Sequence, residues 1–266
     1  MPELPEVETF VRALRPLLTG RRIAQFSSSW PRKVHPAPAE IDRALSGARV
    51  TGLGRRAKYA LLETDTPWIL VFHLGMSGRF DFCERSGCEP RHLRARLRFQ
   101  DGSELAFCDA RKFGRILLTD GALSALPALG PEPLGDAFSA DYLRSALASC
   151  KRPIKTALLD QALIAGVGNI YADETLFRSG IHPLRPACSL HDKERRALRR
   201  NLRLVLRQAI RRNGTSFDWV YPGGDMQKAL RVYGHGGHAC RDCGERISTL
   251  RIQGRTAHFC PHCQPL

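Results

Sequence analysis

The sequence predicts an α+β chain in three parts: a mainly β domain led by a helix, a helical domain, and a short cysteine-bounded hairpin at the C-terminus. Three observations carry that prediction. Apolar and polar residues alternate in short runs from Arg49 to Thr119, apolar residues recur at helical spacing from about Tyr142 onward, and two C-x2-C pairs bracket the tail. At 266 residues and 43% hydrophobic, the chain is long enough for two domains and a small appendage.

The chain opens MPELPEVETF. Val7, Phe10, Val11, Leu14 and Leu18 repeat along one helix face, Pro5 suits a first helical turn, and Gly20 reads as the stop. Those rules leave Pro2 unexplained, although its nitrogen becomes the chain terminus once Met1 is removed. Further on, LRARLRFQDGSELAF reads as two strands joined at Asp101-Gly102. Residues 1–125 form the β domain in this reading, and LPALGPEPLGDAFS, rich in Pro and Gly, marks a linker over 126–140.

A helical domain follows over 141–235, built from YLRSALAS, IKTALLDQALI, NIYADETLFRSG and ERRALRRNLRLVLRQAIRRNG. In the last of these, Leu198, Leu202, Val205 and Ala209 share one face and Arg196, Arg200, Arg203 and Arg207 another. Such a face can grip phosphates, but taken alone it reads as a solvated face that keeps the helix soluble. GVGNIY puts Gly166 and Gly168 in a tight turn before a helix with Asn169 as its N-cap, so free amides would face an anion.

In the tail, residues 236–266, Cys240 and Cys243 are followed after sixteen residues by Cys260 and Cys263. Four thiolates at that spacing close a tetrahedron around one structural zinc ion and leave no open position for catalysis. His258 and His262 are conceivable ligands, yet four cysteines already complete the shell. Between the pairs, ISTLRIQGRTAHF alternates like a hairpin carrying Arg251 and Arg255. The other cysteines, Cys83, Cys88, Cys108, Cys150 and Cys188, are scattered singly and predict reduced thiols.

A formal charge of +15, supplied mostly by arginine, points to a polyanionic partner, most simply nucleic acid. One zinc ion on four thiolates lowers it only to about +13. No apolar run reaches membrane-spanning length and the N-terminus is acidic, so a cytoplasmic, nucleoid-associated monomer is expected, with no membrane partner.

PELPEVET, KTALLDQALIAGVGNIYADETLF and GRTAHFCPHCQ stand at the start, middle and end of the chain. Together they resemble the formamidopyrimidine-DNA glycosylases, bifunctional enzymes that excise oxidised purines from double-stranded DNA. The resemblance implies a β-sandwich domain, a helical domain with a helix-two-turn-helix element, and a zinc-ribbon hairpin. It implies that Pro2, freed of Met1, attacks the sugar C1′ as an amine. A terminal amine titrates at about 7.7–8.0 against roughly 10.4 for lysine, so part of it is unprotonated at neutral pH. Glu3 is implied as general acid and base, which needs a carboxyl kept protonated by burial or by Glu6. Glu6 would transfer protons or orient the helix terminus, and Lys58, implied as a third catalytic residue, would contact phosphate near the lesion and assist the reaction.

Extrusion of the damaged base leaves a hole in the stack. By the same resemblance Met76 fills it, Arg111 bonds the orphaned base and Phe113 wedges the duplex. His73, Lys155, Asn169, Tyr233 and Arg255 are implied phosphate or lesion contacts, and Glu174 lies in the damaged base's neighbourhood. No redox or organic cofactor is implied. The chain departs from the family in having His92, Leu93 and Arg94 where a His-x-His pair is common, and in the WVYPGGDMQK part of the lesion-covering loop at 215–233. Two rivals follow: an endonuclease VIII-like enzyme for oxidised pyrimidines, whose opening usually has glycine where this chain has Leu4, and a catalytically silent zinc-containing lesion-binding protein.

Overall fold

The computed structural model describes residues 2–216 and 223–266. They divide into two compact units that meet in sequence between Pro127 and Ala128, with Gly224–Leu266 belonging to the second.

In the first unit the apolar stripe read from the sequence becomes α1 (Leu4–Leu18), with Val7, Phe10, Val11, Leu14 and Leu18 all buried. Two sheets follow. One orders β1 (Ile23–Ser28), β7 (Leu93–Phe99), β8 (Glu104–Asp109) and β6 (Gly78–Cys83), all antiparallel. The other orders β2 (Val34–His35), β9 (Arg115–Asp120), β5 (Trp68–His73), β4 (Tyr59–Thr64) and β3 (Val50–Arg56), with only β2 and β9 parallel. Leu62, Leu70 and Phe72 of the five-stranded sheet and Leu97, Leu105 and Phe107 of the four-stranded one join a single core. Phe80 sits among them with its ring 5.1 Å from Phe72 and 5.8 Å from Phe10, so the layers interlock through aromatic edges.

The turn at Asp101-Gly102 joins β7 to β8 as read, with Gly102 at φ 85 and the Asp101 carboxylate accepting the Ser103 N–H at 3.0 Å. A second helix, α2 (Pro38–Leu45), escaped the sequence reading although Pro38 opens it and Ile41 and Leu45 bury one face. Cys83 and Cys88 form a disulfide across the loop after β6, which corrects the expectation of single thiols for these two. Cys108, Cys150 and Cys188 are free.

The second unit holds α3 (Ala140–Ala148), α4 (Ile154–Leu159), α5 (Asn169–Ser179), α6 (Asp192–Arg211) and the hairpin β10 (Ser248–Ile252) to β11 (Arg255–Phe259). The helix read through IKTALLDQALI stops at Leu159. There the Asp160 carboxylate accepts the Ala162 N–H, and Gln161 folds back to donate to Leu159 O and Val167 O while accepting Gly166 N–H, which trades helical bonds for a side-chain-held loop. Along α6, Leu198, Leu202, Val205 and Ala209 are buried. Of its four arginines on the other face, Arg203 donates to Leu134 O at 2.9 Å, while Arg196, Arg200 and Arg207 are exposed. Among the described residues no helix is long and apolar enough to cross a membrane.

Candidate functional site

Pro2, Glu3 and Glu6 meet at the start of α1. Glu3 is the N-cap: its side chain accepts the Glu6 N–H, and Glu6 Oε2 accepts the Glu3 N–H at 2.9 Å. Pro2 is buried, and only 2% of Glu3 and 4% of Glu6 is exposed, so this box is shielded from water. Glu6 grips the peptide that joins Pro2 to Glu3 and thereby orients both. Met1 lies outside the described residues.

Arg55 ties this helix to Lys58. Its Nε donates to Glu8 at 2.9 Å and its guanidinium also donates to Ala57 O at 3.0 Å. Ala57, at φ 53, and Lys58 form the two-residue turn between β3 and β4, so Lys58 stands in a turn and not within a strand. Burial pushes the Glu8 carboxyl up, but its bonds to Arg55 and Arg12 and their charges hold it below the usual carboxylate range.

His73 ends β5 with its ring 4.9 Å from Tyr59. Its Nδ1 accepts the Gly75 N–H at 3.2 Å, which leaves the ring proton on Nε2. Burial, then the charges of Lys58 and Arg115, pull its pKa down to about 4. At neutral pH it is therefore a neutral hydrogen-bond donor.

Met76 and the Arg111–Phe113 pair stand on two loops fastened to one another. The buried Asp109 carboxylate accepts Ser77 Oγ at 2.5 Å, Arg111 N–H at 3.2 Å and Gly114 N–H at 2.8 Å. Gly75, at φ 61, packs so tightly on the second loop that a Cβ there would meet Gly114 N at 2.5 Å. Met76 is half-buried, whereas Arg111 and Phe113 are exposed, with the guanidinium 5.5 Å from the centre of the Phe113 ring. A half-exposed phenylalanine thus stands under an arginine, an apolar ring with a fork of donors beside it.

In the second unit, Gly166 at φ 81 makes the tight turn, but the N-cap of α5 is Gly168 and Asn169 is its first helical residue. Asn169 donates through Nδ2 to Thr256 O at 3.0 Å. Lys155 is wholly buried, 2.6 Å from Asp173 and 2.7 Å from Thr256 O, which corrects the expectation of an ammonium presented to phosphate. Asp173 also accepts the His258 N–H at 3.0 Å, so Lys155, Asn169 and Asp173 join the helices to β11. Glu174 accepts the N–H groups of Arg231, Val232 and Tyr233 at 2.9–3.0 Å. Burial raises its pKa against those three donors. Glu174 thus shapes the 231–233 main chain, and Tyr233 lies edge-on to His258 at 4.9 Å. Arg255 opens β11 and is exposed.

The sulfur atoms of Cys240, Cys243, Cys260 and Cys263 all lie within 4.8 Å of one another. A tetrahedral zinc with bonds of about 2.3 Å requires sulfurs roughly 3.8 Å apart, so the donor set fits. The N–H groups of Asp242 and Cys263 point at Cys240 and Cys260 sulfurs, which favours thiolates. His258 is engaged by Asp173 and His262 is exposed, so neither joins the set.

Sequence reasoning missed the supporting shell: Asp109, Ser77, Arg55, Gln161 and Asp173. Ser77 meets Asp109 across 32 positions, Arg55 meets Glu8 across 47 and Asp173 meets His258 across 85, whereas Gln161 bonds Leu159, Gly166 and Val167 close by, where helical spacing masked it.

Comparison with known proteins decides the family. Residues 1–116 match the formamidopyrimidine-DNA glycosylase N-terminal domain, 129–219 its H2TH domain, and 237–266 a zinc finger found in FPG and IleRS. The chain belongs to the formamidopyrimidine-DNA glycosylase family. It is 44% identical over 275 residues to the Symbiobacterium thermophilum formamidopyrimidine-DNA glycosylase, covering 100% of this chain and 90% of that one. Two crystal structures of the Lactococcus lactis Fpg each superpose with a TM-score of 0.92. One contains Fapy-dG DNA, at 33% identity over 99% of this chain and all of that one; the other contains DNA with an oxidised pyrimidine, at 34% identity over all of both. Within the family frame, part of the lesion-covering loop, residues 217–222, lies outside the described residues.

Proposed function

We propose that this chain is a base-excision-repair DNA glycosylase with AP lyase activity that removes 8-oxoguanine and formamidopyrimidines. The nitrogen of Pro2, freed of Met1, attacks C1′ of the damaged nucleotide. Glu3 protonates the ring oxygen as the glycosidic bond breaks, the base leaves with a proton, and the sugar opens as an iminium ion on Pro2. Loss of a C2′ proton then expels the 3′ phosphate, and a second elimination expels the 5′ phosphate. Hydrolysis frees Pro2. Zinc supplies only the crosslink that holds the β10–β11 hairpin.

The observation that carries this reading is the buried reciprocal box of Glu3 and Glu6 against the peptide following Pro2. A solvated helix start needs no two buried carboxylates, whereas a nucleophile and its proton carrier need a fixed separation. The exposed pair of Phe113 and Arg111 supports base extrusion and the exposed Arg255 supports backbone binding; we place the enzyme as a monomer in a cytoplasmic, nucleoid-associated setting. The oxidised-pyrimidine complex of the Lactococcus lactis relative favours a second reading, in which oxidised pyrimidines are also substrates. Both are tested by mixing Met1-processed protein with duplexes carrying 8-oxoguanine, an oxidised pyrimidine or an abasic site under borohydride. A covalent adduct with 8-oxoguanine, lost in Pro2→Gly, is expected. An adduct only with the abasic duplex would overturn the base assignment, and none with any duplex would mean a silent lesion-binding protein.

A further inference from the structure

Arg94 stands at the one point where the sequence departs from a common family pair, and its side chain has a specific task. Its Nε donates to Asp109 O at 2.8 Å, and its own carbonyl accepts Ser28 Oγ at 2.7 Å, which in turn accepts the Trp30 N–H. The Asp109 N–H donates to His92 O at 2.9 Å. With both carboxylate oxygens committed to Ser77, Arg111 and Gly114, every polar group of Asp109 is held. Asp109 is the last residue of β8, and the loop with Arg111 and Phe113 begins immediately after it.

We propose that Arg94, acting through Asp109, is a positioning residue for the wedge, fixing the loop of Arg111 and Phe113 against the loop of Met76 so that the three enter the duplex as one unit. This rests on the glycosylase reading above. Arg94 acts through the main chain: it holds the carbonyl from which the loop of Arg111 and Phe113 springs. Without that bond the Asp109 N–H stays on His92 O and the carboxylate stays on its donors, but the carbonyl loses its anchor and the peptide that leads into the loop gains freedom. A step that needs three side chains to enter together is sensitive to such freedom, since displacements of an ångström can cost orders of magnitude in rate. A lysine at 94 can still donate one hydrogen bond to the carbonyl; an alanine cannot.

The test compares wild type, R94A and R94K in three assays: excision from an 8-oxoguanine duplex, the rise in fluorescence of 2-aminopurine beside the orphaned base, and borohydride trapping on a single-stranded abasic oligonucleotide. The single strand has no partner base and no stack to wedge. R94A should slow duplex excision and the 2-aminopurine rise by about tenfold or more while single-strand trapping stays within about twofold, and R94K should recover much of the loss. Unchanged duplex excision in R94A overturns the proposal. So does equal loss of single-strand trapping in both variants, which would make Arg94 a residue of the whole fold. A wild type that neither excises nor traps fails the glycosylase reading itself, before any variant is compared.

Discussion

The His73 ring couples the stability of the first unit to pH. Burial and the neighbouring charges of Lys58 and Arg115 bring its pKa to about 4, against about 6.5 in the unfolded chain. As pH falls from 6.5 toward 4, the unfolded chain takes up this proton before the folded one does, so stability falls over that window and is fully present above it. The full shift corresponds to roughly 3 kcal/mol. Thermal unfolding of wild type and H73Q between pH 7 and 4.5 should show the wild type losing more, with the gap between them closing as the solution is acidified. Parallel lines for the two proteins would mean that His73 titrates alike in the folded and the unfolded chain. Under the proposed function, the same depressed pKa means that His73 would donate to DNA from Nε2 and add no charge, unlike Arg115 beside it.

Elements differ in how much of them was legible. α1 could be read to its ends because five apolar residues at helical spacing and a proline in its first turn act locally. The zinc hairpin was equally legible, its ligand spacing and its Gln253-Gly254 turn, at φ 47 and 77, both being local. The early stop of α4 was not, because propensity favoured continuation while the Gln161 side chain won the backbone groups. Lys155 and Glu174 were read as DNA-side residues, yet their partners are supplied by tertiary contacts that no window of sequence contains. Glu174 belongs to α5, and the amides it gathers lie 57 to 59 positions further on. In E174Q one oxygen becomes an amide nitrogen that cannot accept from them. That substitution should cost about 2 kcal/mol locally and speed hydrogen exchange at residues 231–233, with exchange in α6 unchanged. Equal acceleration throughout would mean a general loss of the unit.

At the scale of the whole molecule, charge and contact are different quantities. The formal +15 draws the chain toward any polyanion, but only cations that sit on phosphates release counterions, and only these set how steeply affinity falls with salt. Two arginines separate the possibilities. Arg255 is exposed at the start of β11, beside the turn of the zinc hairpin, and reads as a phosphate contact. Arg200 is equally exposed on α6, where the sequence favoured a merely solvated face. Both substitutions to glutamine remove one unit of charge and alter the net charge identically. If contact governs, R255Q should flatten the plot of log affinity against log salt by about 0.9, while R200Q leaves its slope unchanged. Equal flattening by R200Q would put the α6 face on the duplex and enlarge the footprint. No change from either would remove Arg255 from the interface. Lys155 provides the internal contrast: its charge is spent on Asp173, so its removal should unbalance the junction with β11 by roughly 3–5 kcal/mol, a loss of fold and not of counterion release.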